Sequence, residues 1–126
     1  MQVKIDTKEK FHVITILEPI LAANMTEAME QRLLPILEND VKNVVLTLKD
    51  IQIIEEAAGE SLVRIQQAFY DQGSSFVICE LAPTVEQSLE DNGLLEFMNA
   101  TPTLSEAGDI VQMEELEREL LNGPDD

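Results

Sequence analysis

Residues 44–62 read Val44-Val45-Leu46-Thr47-Leu48-Lys49-Asp50-Ile51-Gln52-Ile53-Ile54-Glu55-Glu56-Ala57-Ala58-Gly59-Glu60-Ser61-Leu62. The first five residues are apolar or β-branched and predict a buried strand. A short acidic turn follows, and then the start of a helix. A strand that runs into a helix N-terminus and handles phosphate usually carries glycines or hydroxyls at the junction. This junction carries two glutamates and two alanines instead. That composition points to a surface read by a partner protein rather than to a reaction centre.

The same reading extends in both directions. Val3 and Ile5 alternate with polar neighbours, Lys8-Glu9-Lys10 forms a charged turn, and Phe11, Val13, Ile14, Ile16 and Leu17 form a second strand, which together predict a β-hairpin. Pro19 stops that strand. Asn24 with Glu27 resembles a capping box, and Met25, Met29, Leu33, Ile36 and Leu37 recur at helical spacing. Pro35 is expected to kink this helix or divide it, because its ring nitrogen cannot donate the backbone bond. Leu62, Ile65, Ala68 and Phe69 mark the next helix, with Gly73 as its C-cap. Phe76 to Leu81 is another buried strand. Pro83 opens a third helix, with Val85 and Leu89 inward and Gly93 at its end. The apolar patch Leu94, Leu95, Phe97 and Met98 is expected to hold a short edge strand. Ser105 is expected to open the last helix, with Ile110, Met113, Leu116 and Leu120 as its apolar stripe and Gly123-Pro124 as its end.

The order is β-β-α-β-α-β-α-(β)-α. It predicts an α/β fold: a four- to five-stranded, mostly parallel sheet with an antiparallel edge from the N-terminal hairpin, packed by four to five helices. Residues 1–122 are expected to form a single domain and 123–126 a disordered acidic tail. A chain of 126 residues buries roughly two-thirds of its unfolded surface and needs no disulfide staple. Aromatic residues make up 4% and tryptophan is missing, so the core must come mostly from Leu, Ile, Val, Met and Ala.

Charge excludes several functions. There are 25 acidic and 8 basic residues, a net charge of −17. From Glu80 onward 13 residues are acidic and Arg118 alone is basic. Nucleic-acid binding needs a basic footprint, and an anionic membrane surface repels such a chain. The acidity serves solubility, or forms a docking surface for a basic partner. No apolar run approaches the ~18 residues of a membrane span. Met1-Gln2-Val3-Lys4 lacks a signal-peptide layout. The expected location is the cytoplasm, which also fits a single cysteine, Cys79, in an apolar strand.

The chain offers little for chemistry. His12 lies in a strand, with no exposed nucleophile assigned to it. Zinc wants clustered His and Cys, and no calcium loop or phosphate-binding glycine motif occurs. Glu55-Glu56 could act as an acid–base pair in principle, but adjacent turn residues usually point apart. We therefore expect no catalytic residue, no metal and no cofactor.

The order of elements and the 44–62 stretch resemble the STAS domain of bacterial anti-sigma factor antagonists. The family pattern is an apolar strand, Asp-Leu-Ser, a spacer leading to Ile-Asp-Ser-Ser-Gly at a helix start, and a helix ending in Gly before the next strand. Val44 to Leu48 resembles the strand, Ile53-Ile54 the apolar pair, Gly73 and Phe76-Val77-Ile78-Cys79 the helix end and next strand. Asn92-Gly93-Leu94 resembles the later turn, and Ser105-Glu106-Ala107 the start of the last helix. In the family, the first Ser after Asp is phosphorylated by a partner kinase that is also the anti-sigma factor, and phosphorylation releases that partner.

Aligned without gaps from the strand, Glu55 falls on the Asp, Glu56 on the phosphorylated Ser, Ala57 on the second Ser and Ala58 on the Gly. Matching glycine to glycine puts Ala57 at the phosphorylated position. Neither register supplies a hydroxyl, and the nearest is Ser61. Either the switch has been lost, or Glu56 holds one fixed negative charge where a phosphate would carry nearly two. The resemblance implies a non-enzymatic, regulatory protein-binding module acting in transcription, with an anti-sigma factor or kinase-like ATPase as partner. The implied partner surface is Glu55, Glu56, Ala57, Ala58, Gly59, Glu60 and Ser61, with flanking helix positions to Gln72. A STAS subunit of a lipid-transport ABC ATPase is the alternative.

Overall fold

The computed structural model describes residues 1–122. In chain order the elements are β1 (Val3–Thr7), β2 (Phe11–Ile16), β3 (Ile20–Leu21), α1 (Thr26–Leu33), β4 (Asn43–Thr47), β5 (Ile53–Ile54), α2 (Glu56–Asp71), β6 (Phe76–Cys79), α3 (Pro83–Asp91), β7 (Ala100–Thr101) and α4 (Leu104–Asn122). Five strands form one sheet in the order β1-β2-β4-β6-β7. β1 and β2 are antiparallel, from Val3↔Ile16 to Thr7↔His12, and the other neighbours are parallel. β3 and β5 make a separate two-stranded parallel sheet. This is the expected mostly parallel sheet with an antiparallel edge, covered by four α-helices.

The continuous apolar runs of β4 and β6 are explained by burial on both faces. Val44, Leu46, Phe76 and Ile78 point to the side covered by α1, α2 and α3, where Met29, Leu62, Ile65, Phe69 and Leu89 complete the larger core. Val45, Val77 and Cys79 point to the other side, which α4 covers with Ala107 and Val111. Fully burying one such side chain contributes about 1.5–3 kcal/mol. Phe69 and Phe76 meet with ring centroids 5.0 Å apart and planes tilted by 55°, a favourable aromatic geometry.

Local signals set most of the boundaries. Gly73 and Gly93 both take φ +72°. After α2, Ser74 N–H donates to Phe69 O (2.9 Å) and Gly73 N–H to Tyr70 O (3.0 Å). After α3, Leu94 N–H donates to Leu89 O (2.9 Å) and Gly93 N–H to Glu90 O (3.0 Å). Each is a Schellman motif, which needs a residue that tolerates the left-handed region. Pro35 divides its helix as expected: α1 ends at Leu33 and a 3₁₀ segment runs over Leu34–Glu38.

Four boundary expectations are corrected. Asn24 and Glu27 form no capping box, because a 3₁₀ turn over Ala23–Met25 precedes α1 and its N-cap, Met25, makes no side-chain cap bond. Residues 94–98 form no strand: Leu95–Phe97 is a 3₁₀ turn, Met98 folds into the core, and the edge strand is Ala100–Thr101. α4 opens before Ser105, on Thr103, whose Oγ1 accepts from Glu106 N–H (3.1 Å) and donates to Glu106 Oε2 (2.8 Å). The stripe of α4 is not its buried face. Of the expected residues Ile110 packs, half-buried, against the core; Met113, Leu116 and Leu120 are exposed, while Ala107, Gly108 and Val111 are buried. The expected end at Gly123-Pro124 and the tail at 123–126 lie outside the described residues.

The second half of α4 is held by polar groups at the amino ends of β4 and β6. Asn43 is the hub. Its Nδ2 donates to Lys10 O and Glu115 Oε1 (both 3.0 Å). Its Oδ1 accepts from Ser75 N–H (2.8 Å), Ser74 Oγ (3.2 Å) and Arg118 (3.2 Å). Glu114 Oε1 accepts from Tyr70 OH (2.8 Å) and Ser75 Oγ (2.6 Å). Burial and the neighbouring Glu114 push the Tyr70 phenol up to about 12. The hydrogen bond from Asn43, helped by Arg118 and Lys10, holds the Glu115 carboxyl below its usual value.

Candidate functional site

The site lies at the start of α2, beyond the carboxyl end of β4. After Thr47 the chain is pinned by Leu48 and Ile51, both fully buried, with Ile51 N–H donating to Leu48 O (3.0 Å). Pro19 O accepts from Gln52 N–H (2.7 Å) and Ile53 N–H (3.2 Å), which brings β5 beside β3 in the register Ile20↔Ile53 and Leu21↔Ile54. Glu55 is extended and Glu56 is the first helical residue. The β3–β5 pairing therefore fixes where α2 begins.

Glu55 occupies the N-cap position, but its side chain does not cap its own helix. Its Oε1 instead accepts from Ala23 N–H at 2.7 Å, and its N–H donates to Leu21 O at 2.9 Å. This carboxylate ties the start of α2 to the turn before α1. Glu56 points to solvent, where its charge complements the positive end of the helix.

Of the seven residues expected at a partner surface, Glu55, Glu56 and Glu60 are exposed and Ala57 is half-buried. Ala58, Gly59 and Ser61 are buried, which corrects their assignment to that surface. Ala58 packs in the larger core. A Cβ on Gly59 would stand 2.9 Å from Leu94 Cδ1 and 3.0 Å from Leu89 Cδ2, so this glycine allows α2 to approach α3 and the turn after it. Ser61 is fully buried and donates to Glu30 Oε2 at 3.5 Å. No outward-facing hydroxyl occurs between residues 55 and 61.

Beside the glutamates, Ile20 is 44% and Ile53 55% exposed. They are paired neighbours on β3 and β5. Sequence reasoning placed Ile53 before the switch motif but missed Ile20. The available signal was an isoleucine immediately after the strand-stopping Pro19, outside any period.

The other chemistry-bearing residues lie elsewhere. His12 is bonded on both ring nitrogens, to Thr7 Oγ1 (2.9 Å) and Val41 O (3.0 Å). Cys79 is fully buried, and burial together with the charge of Glu80 pushes its thiol up to about 12. Glu80 is the one non-glycine residue with positive φ (62°) among the described residues, and its Oε1 accepts from Thr47 Oγ1. An open cleft of about 790 Å³ lies at the amino end of the sheet, lined by residues including Lys10, Asp40, Asn43 and Arg118; Glu55, Glu56 and His12 are not among its walls. No group of three or more potential metal ligands comes together among the described residues. No helix among them is long and apolar enough to cross a membrane.

A five-stranded mixed sheet, its antiparallel pair at one edge and a strand-to-helix junction at the carboxyl end of β4, defines a small α/β domain of one recognisable class. The STAS domain model matches residues 2–107, and the chain belongs to that family. No curated protein matches it. Solved structures similar to it include Moorella thermoacetica RsbS carrying a serine-to-glutamate substitution (24% identity, TM-score 0.73, covering 94% of this chain and 99% of that one). The anti-sigma factor antagonist SpoIIAA in its unphosphorylated form matches at 15% identity and TM-score 0.69, covering 89% of this chain and 97% of that one. A chain of the stressosome, described as a signal integration and transduction hub, matches at 20% identity and TM-score 0.68, covering 91% and 99%. The chain is a STAS domain, and its fold is one that solved anti-sigma factor antagonists share.

Proposed function

We propose that this domain is a non-enzymatic regulatory module that binds a protein partner through the α2 start and works without phosphorylation there. One observation carries the reading: the exposed Ile20–Ile53 pair precedes an α2 start whose Glu55, Glu56 and Glu60 are exposed, and no hydroxyl faces outward from residue 55 to residue 61. Apolar anchors with a charged rim are what a protein interface uses. The partner is an anti-sigma factor or a kinase-like ATPase of the bacterial cytoplasm, and docking competes with whatever else that partner holds. Glu56, at the first helical position, keeps a permanent negative charge where the family's antagonists gain one on phosphorylation.

Affinity purification with the full chain as bait, followed by mass spectrometry, tests the proposal. Recovery of a histidine-kinase-like ATPase, weakened about 30-fold by Ile53→Asp through loss of an anchor of about 2 kcal/mol, supports it. Recovery of an ABC-type ATPase supports the lipid-transport alternative instead. Incubation with that kinase and ATP leaves residues 55–61 unlabelled, because Ser61 is buried. Phosphate found on Ser61 of the folded protein would overturn the switchless reading.

A further inference from the structure

The outer face of α4 is apolar, and nothing among the described residues covers it. Met113 is 62%, Leu116 55%, Leu120 72% and Leu121 85% exposed. The helix is inside out in its second half. The face turned to the sheet carries Glu114, Glu115 and Arg118, bonded to Tyr70, Ser75 and Asn43. The solvent face carries the leucines and the methionine at spacings of three and four, the pattern of a helix seam. Solubility does not call for such an arrangement in a chain this acidic.

Charge identifies the occupant. Asp109 and Glu117 share the outer face with Met113, Leu116 and Leu120 by helical spacing, and both are exposed. No basic residue pairs with either among the described residues. The one basic residue of α4, Arg118, is turned inward and paired with Glu115 at 3.2 Å. A second copy of this chain would set Asp109 and Glu117 against their like, and an anionic membrane would repel them. We infer that the outer face of α4 docks a basic amphipathic helix of a protein partner, its apolar stripe on Met113, Leu116 and Leu120 and its Lys or Arg flanks on Asp109 and Glu117. This surface is separate from the α2 start. The polar clamp that orients α4 lies at the amino end of β4, and the α2 start lies beyond the carboxyl end of that strand.

The test uses the full chain and a synthetic leucine–lysine peptide of helical period, at about 0.15 M salt so that diffuse attraction is screened. Amide shifts should cluster in residues 109–121. Leu116→Ser with Leu120→Ser should weaken the peptide about tenfold or more, and a peptide with glutamate in place of lysine should not bind. The substituted side chains are exposed, so thermal unfolding should stay unchanged, and Ile53→Asp should leave peptide binding intact. Three results overturn the inference: equal affinity for the double variant, shifts centred on the α2 start, or a dimer in sedimentation that the double variant abolishes. Failure here leaves partner capture through Ile53 untouched, so the two surfaces are judged independently.

Discussion

Asn43→Ala should be the most informative single substitution for stability. The side chain is almost fully buried and joins Lys10, Ser74, Ser75, Glu115 and Arg118. Most of these groups keep another partner when it is removed. Ser74 Oγ still donates to Lys42 O, and Arg118 still reaches Ser75 Oγ and Glu115. Ser75 N–H has no such alternative, and Ser75 is fully buried. Leaving that donor unpaired costs about 1–3 kcal/mol, and the lost bond to the Glu115 carboxylate adds about 1.5 kcal/mol. A total near 3 kcal/mol, with a urea slope of about 2 kcal/mol/M, lowers the unfolding midpoint by about 1.5 M. Asn43→Asp keeps the acceptor for Ser75 N–H but sets a carboxylate against Glu115, so it should fall between wild type and Asn43→Ala near neutral pH. The Glu115 carboxyl is held below its usual value in the folded protein. Its contribution is therefore present above the unfolded value and is lost as pH falls through the lower folded one. Asn43→Ala should flatten that acid-side decline. A midpoint shift below about 0.3 M would refute the reasoning, because it would mean that water in the adjoining cleft replaces the amide.

Substitutions at three further positions test local geometry. Gly59→Ala should destabilise the protein by about 1 kcal/mol in denaturant unfolding, because crowding against the fully buried Leu89 (about 1–3 kcal/mol) exceeds the helix-propensity gain of about 1 kcal/mol; a more stable variant would show that Leu89 and Leu94 yield freely. Thr103→Ala should lower stability by about 1 kcal/mol through loss of the α4 cap, with Thr103→Ser close to wild type; equal stability of all three would assign the cap no role. At residue 80, Glu80→Gly should be more stable than Glu80→Ala by about 1 kcal/mol in matched melts, since both lose the bond from Thr47 and only alanine keeps the left-handed strain; the reverse order would remove strain from that turn.

Much of the fold was legible because strand period and helix period differ, and because Gly73, Gly93, Pro35 and Pro83 act through local sterics that need no tertiary context. Asn24 and Met98 were misread for the opposite reason. Glu55 reaches across 32 residues to Ala23, which fixes the entry to α1 more tightly than a local capping box. Met98 is drawn into the core and ends the apolar patch before it can extend. The candidate site was legible as a stretch but not as a surface. Helical spacing alone does not reveal that Gly59 lies against Leu89 and Leu94, or that Ser61 faces Glu30. For α4, the apolar period was real but its direction was reversed, because Asn43 and Ser75 supply polar partners at the end of the sheet.

Cys79 gives the molecule its own clock. It is the single thiol of the chain, fully buried in the strand between β4 and β7, and its environment suppresses the thiolate that reacts with disulfide reagents. Modification therefore waits for the middle of the sheet to open. The rate at which an aromatic disulfide colours in the native protein reads that opening directly, with no engineered label. Measured with and without a bound partner, it converts occupancy of a distant surface into a change of colour with time.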